Sequence, residues 1–138
     1  MNNFEYNRFF PYKSIRDSQK LAIDFALENF VNLGKKFIII EAGTGVGKSA
    51  IGYTTARYLN STPKIESKYS PGSYFLTTQK ILQEQYVRDF GSSKFGMKSI
   101  KSSANYTCSY NKKNTCAESL RMLKLADKKS PFFRNCGF

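Results

Sequence analysis

Apolar residues recur along this chain first at helical spacing and then in short unbroken runs. Ile15, Ala22, Phe25, Ala26, Phe30 and Leu33 form a stripe of period 3.6. Ser14 stands ahead of it as an N-cap, Asp17 follows as its capping-box partner, and Gly34 supplies a stop. The pattern predicts a long amphipathic helix over 15–33. Residues 37–41, Phe-Ile-Ile-Ile-Glu, are apolar and β-branched without alternation, which predicts a strand buried on both faces, as in a parallel sheet. Residues 42–47 make a glycine-rich turn. Helical spacing returns from Lys48 to about residue 60 through Ile51, Thr55 and Leu59. The stretch 60–73 contains Pro63, Pro71 and Gly72 and reads as a surface connection. A second strand is expected at 74–76 and a second amphipathic helix at 79–90, through Ile81, Leu82, Gln85 and Tyr86. A third short strand fits 97–101, and a helix fits 117–126, with Leu120, Leu123 and Leu125 as its apolar positions. Strands alternating with helices in this order predict an α/β fold with a parallel sheet.

Composition narrows the function classes. With 138 residues, 41% hydrophobic and 15% aromatic, the chain can build a packed core of ordinary domain size. No apolar run approaches the roughly 18–20 residues of a membrane-spanning helix. The amino-terminal residues lack a basic region followed by an apolar stretch, so no secretory signal is expected and an intracellular location is the default. Histidine is absent, which excludes histidine triads, histidine general bases and histidine metal ligands within these residues.

The net charge is +12, from 22 basic and 10 acidic residues, and this favours a polyanionic partner. Residues 101–138 carry half of it: eight basic residues against Glu118 and Asp127 give +6. The same stretch holds all three cysteines, Cys108, Cys116 and Cys136. An odd number without an export signal argues against a disulfide framework.

The strongest motif runs from Glu41 to Ser49. Ala42, Gly43, Thr44, Gly45, Val46, Gly47, Lys48 and Ser49 fit the spacing of a Walker A loop, with alanine in the first position. Gly43, Gly45 and Gly47 permit backbone angles that side chains forbid, so successive N–H groups can turn toward phosphate oxygens. The helix that follows aims its positive dipole end at the same anion. Lys48 can reach the β- and γ-phosphates of ATP, and the Ser49 hydroxyl can coordinate Mg²⁺.

This loop resembles motif I of superfamily 2 helicases, in the form seen in the DinG-type and XPD-type iron–sulfur DNA helicases. Three further stretches resemble the same family in the same order. Phe10-Pro11-Tyr12 followed by Arg16 and Gln19 is similar to the family's upstream motif. That resemblance implies that Gln19 reads the adenine edge, where an amide can donate and accept at once, and that Tyr12 packs near the base. Residues 74–86 are similar to motif Ia, and imply that Thr77, Thr78 and Gln79 meet the phosphates of a single DNA strand. Lys101-Ser102-Ser103-Ala104-Asn105-Tyr106-Thr107-Cys108 resembles the lead-in to the family's iron–sulfur domain, with Ser102 where glycine is usual. The resemblance implies that Cys108, Cys116 and Cys136 are ligands of a 4Fe–4S cluster, one short of the common four.

Carried through, the resemblance implies a partial RecA-like P-loop NTPase domain over 1–101 and the start of a small cysteine-containing insertion over 102–138. The carboxylate pair that activates water lies beyond the insertion in the family order, as do the second RecA-like lobe and its arginine finger. The implied whole is an ATP-dependent helicase acting on single-stranded or forked DNA. The 138 residues are then expected to bind nucleotide weakly without hydrolysing it. Two other readings fit the residues: a different P-loop ATPase or kinase, and a non-catalytic basic module. In the latter Tyr106, Tyr110, Phe132 and Phe133 would stack on bases.

Overall fold

The first stripe becomes α1 (Asp17–Leu27), which continues into a π-helical turn, Glu28–Asn32. Gly34, at φ +62°, then turns the chain, and the Lys35 N–H reaches back 2.8 Å to the Asn29 carbonyl. The computed structural model describes residues 4–62, 72–92 and 96–125. The chain divides into two units, Met1–Ser92 and Ser93–Phe138.

The start of α1 differs from the Ser14–Asp17 cap that the spacing suggests. Arg16 is the N-cap, and its backbone N–H donates to Gln19 Oε1 at 3.1 Å. The buried face also lies elsewhere. It runs through Gln19, Ile23, Ala26 and Leu27, while Phe25 and Leu33 are largely exposed. Spacing of four residues (19, 23, 27) aligns these positions along one side of the helix.

That side packs on α2 (Lys48–Ser61), the helix that follows the glycine loop. Ile23, Leu27 and Ile51 form the core with Tyr6, from the segment before α1. Complete burial of such side chains contributes about 1.5–3 kcal/mol each. A short 3₁₀ turn, Asn7–Phe9, shapes that segment. Phe4 and Phe9 meet Tyr58 of α2 edge-on, at ring separations of 5.8 and 6.3 Å. The segment thus ties α1 to α2.

Tyr6 is 3% exposed. Burial pushes its hydroxyl well above the ordinary tyrosine range, and a hydrogen bond to Asp24 adds to the rise. A folded-state pKa above the unfolded value of ~10 means that the contribution is complete below pH 10 and is lost as pH climbs beyond it. Alkaline unfolding of the wild type should therefore begin above about pH 10. Tyr6→Phe should flatten that limb of the stability curve while lowering stability near neutrality by about 1 kcal/mol. Chemical denaturation across pH 7–11 measures both; parallel curves would contradict the assignment.

Helix α3 (Lys80–Phe90) lies where the second amphipathic pattern placed it. Phe90 is fully buried and stacks on Tyr53 of α2, with centroids 4.6 Å apart and planes at 13°. Phe75 contacts Tyr86 edge-on at 6.0 Å. Ile81, expected among the apolar positions, is 73% exposed. Among the described residues no strand forms. Segments 37–41, 74–76 and 97–101 are not helical. Phe37, Ile39, Tyr74, Leu76 and Ile100 stand exposed, so 37–41 does not show the two-sided burial its composition suggests. The structure neither builds nor excludes the expected parallel sheet. Most of the 60–73 connection lies outside the described residues.

In the second unit a 3₁₀ turn, Ser103–Asn105, leads into a tight hairpin. Thr107 faces Thr115 across it, flanked by Cys108 N–H to Asn114 O at 2.9 Å and Cys116 N–H to Tyr106 O at 2.8 Å. Helix α4 (Cys116–Leu125) follows. Its start is closed by the Glu118 carboxylate, which accepts from Thr115 N–H at 2.7 Å and Thr115 Oγ1 at 2.9 Å. Those bonds hold the Glu118 carboxyl below the usual range. Leu120 and Leu123 are half-buried, but Leu125 is exposed; the fully covered residue is Ser119.

Candidate nucleotide site

The glycine loop takes the backbone form its composition allows. Gly45 and Gly47 adopt φ of +82° and +89°, the left-handed region that a side chain opposes. Gly47 is the N-cap of α2, and its carbonyl accepts from Ala50 and Ile51 at 3.0 and 3.2 Å. The N–H groups at the very start of α2, on Lys48 and Ser49, precede the first intrahelical bond and face the loop end. Ser49 is half-buried in that first turn.

Side chains from three positions secure the loop carbonyls. Lys48 Nζ donates to Ala42 O and Gly43 O, both at 3.0 Å. Arg16 Nη1 donates to Gly45 O at 2.9 Å, and Gln19 Nε2 donates to Val46 O at 2.9 Å. In a trans peptide the carbonyl and the next N–H point in opposite directions. With the carbonyls of Gly45 and Val46 held toward α1, the N–H groups of Val46 and Gly47 are turned away from it. A helix dipole, glycine amides and a lysine converge there as a site for a polyphosphate. The ammonium group of Lys48 is exposed and, among the described residues, bonded to neutral acceptors of its own loop, which phosphate oxygens can replace.

Arg16, Gln19, Ala42, Gly43, Thr44, Gly45, Val46, Gly47, Lys48 and Ser49 thus lie together. The structure gives Gln19 a task the sequence did not suggest. It is 4% exposed, and its amide bridges the Arg16 N–H and the Val46 carbonyl. A Cβ on Gly47 would collide with its Nε2. Tyr12 is in edge contact with Phe10 at 6.0 Å. It borders a cavity of about 450 Å³ lined also by Tyr6, Lys20 and Asp24. Sequence reasoning singled out none of those three. The one available signal is the i, i+4 spacing of Lys20 and Asp24 on one helix face.

Thr77 Oγ1 accepts the Gln79 N–H at 3.3 Å, a local turn ahead of α3, and Thr78 and Gln79 are exposed. Cys108 is buried, and its sulfur accepts the Asn111 N–H at 3.3 Å; Cys116 is half-buried. The Cys116 thiol donates to Thr107 O at 3.7 Å. Cys136, Phe132 and Phe133 lie outside the described residues. Among the described residues no group of three metal-binding side chains forms, and no helix is long and apolar enough to cross a membrane.

Comparison with curated proteins and with solved structures finds no match. Residues 12–130 match a protein family, and the match takes in the upstream arginine and glutamine, the loop, and both hairpin cysteines. That family is helicase-like, with the RecA-like amino-terminal region of superfamily 2, and ATP-hydrolysing. The chain belongs to it: the family described as type III restriction enzyme, res subunit.

Proposed function

We propose that this chain is the ATP-binding part of a DNA helicase of the DinG/XPD type. Its loop holds ATP·Mg while the intact protein moves along single-stranded or forked DNA. The observation that carries the reading is the loop itself, with Arg16 and Gln19 fixing its carbonyls from α1 and Lys48 available to phosphate. In this reading Lys48 contacts the β- and γ-phosphates and Ser49 coordinates Mg²⁺. Glycine amides of the loop take up the remaining phosphate oxygens. Residues 37–41, 74–76 and 97–101 supply strands of a RecA-like parallel sheet. Hydrolysis calls for a carboxylate pair and an arginine finger that these residues do not include, so the 138-residue chain binds without turnover. ATPase activity of the purified chain, abolished by Lys48→Ala, would overturn that part.

The described residues do not fit an iron–sulfur cluster. Among them no group of three metal-binding side chains forms, where four thiolates are the common complement, and no step is routed through one.

The nucleic-acid part of the reading rests on the charge of +12 and on the exposed Thr78 and Gln79 ahead of α3. Single-stranded DNA binding should weaken steeply with salt. Each neutralised phosphate contributes about −0.7 to the log–log slope, so three contacts give roughly −2. A slope near zero in fluorescence anisotropy titrations would remove DNA as the polyanion.

A further inference from the structure

We propose that residues 35–41 are an interaction surface for a second copy of this chain. The apolar run pairs edge to edge and antiparallel with its own counterpart, across a two-fold axis at Ile38. The inference goes beyond the nucleotide reading and does not depend on it. A strand has two edges, so pairing between copies on one leaves the other for the sheet.

Exposure is the first argument. Phe37 and Ile39 are 89% and 92% exposed, while Ile38 between them is half-buried. That alternation is the one an extended chain produces, and here the outward face is apolar. Among the described residues the N–H and C=O groups of 37–41 have no hydrogen-bond partner. Unpaired backbone beside exposed apolar side chains is a template for another strand. The run has no proline, no glycine and no charge between its ends to prevent such pairing.

Charge points to the occupant. Lys35 and Lys36 precede the run and Glu41 ends it; all three are exposed, and among the described residues none is in an ion pair. A parallel copy would set lysines against lysines and Glu41 against Glu41. An antiparallel copy sets each Glu41 toward the other's lysines. With Ile38 opposite its counterpart, Phe37 of each copy faces Ile39 of the other, an aromatic beside a β-branched residue. The segment is thus complementary to itself in the orientation that a closed two-fold dimer needs. The area bounds the strength. Phe37 and Ile39 offer roughly 300–400 Å² per copy, against about 800 Å² per partner in a standard interface. The dimer is therefore reversible, with a dissociation constant on the order of 100 μM.

The test is sedimentation equilibrium of the full chain from about 5 to 500 μM, a range that brackets that constant. The wild type should move from one copy toward two and no further, since pairing the two runs closes the assembly. Glu41→Lys, and Lys35→Glu with Lys36→Glu, should each self-associate about tenfold more weakly, because like charges then meet at both ends. Mixed in equal amounts, the two variants should pair again. Adding Ile39→Asp to either should abolish that pairing, which separates strand pairing from a general attraction of opposite charges. The substituted side chains are exposed, so circular dichroism should show unchanged helix content in every variant. A wild type that stays monomeric at the top of the range overturns the inference. So does assembly beyond two copies, a Glu41→Lys protein that associates as the wild type does, or a mixture that stays apart.

Discussion

Replacing Lys48 with alanine is expected to weaken ATP·Mg binding by roughly 10- to 150-fold without unfolding the protein. The fold should survive because the ammonium group is exposed and bonds Ala42 O and Gly43 O, acceptors that water can satisfy. Binding should not survive, because the same group is the cation of the loop. A hydrogen bond to a charged partner contributes about 1.5–3 kcal/mol, and each 1.4 kcal/mol is a factor of ten. Tripolyphosphate should lose affinity in the same proportion, since the lysine acts on phosphate and not on the base. Isothermal titration with both ligands, beside a thermal melt, measures the two halves. Unchanged affinity would remove Lys48 from the site, and with it the claim that this loop is a phosphate cradle.

The loop was legible in the sequence because its chemistry leaves few alternatives. Positive φ needs glycine, the anion needs amides and a cation, and the spacing between them is short and local. The face of α1 was not legible in the same way. Phe25 fits a helical stripe as well as Ile23 does, and only the packed structure shows that α2 covers Ile23 and Leu27 and leaves Phe25 half open. The burial of Gln19 was not legible for a related reason. A polar residue between Ser18 and Lys20 gives no sign of burial, yet 19, 23 and 27 share one side of the helix, and that side is buried. Tyr6 lies in a stretch without periodicity, so nothing local marked it as core. The sheet depends on pairings far apart in sequence. Apolar runs such as 37–41 show a tendency to form strands, but they do not name the partner.

The largest effect on stability and site together is expected from Gly47→Ala. Two costs arise at one residue. A left-handed conformation costs a residue with a Cβ about 1–2 kcal/mol, and Gly47 sits at φ +89°. The added methyl group also meets Gln19 Nε2, whose amide is 4% exposed and bonded to Val46 O. Displacing that amide leaves a buried polar group unsatisfied, at about 1–3 kcal/mol. The variant should therefore lose about 2–5 kcal/mol and most of its affinity for tripolyphosphate. The second cost can be separated from the first. Gln19→Ala alone removes the brace and should destabilise by about 1–3 kcal/mol. In the double variant the collision is gone, so its total should fall short of the sum of the single effects by about 1 kcal/mol or more. Urea denaturation of the four proteins gives the cycle. Strict additivity would mean that Gln19 and Gly47 do not press on each other, and that the glutamine does not shape the loop from α1.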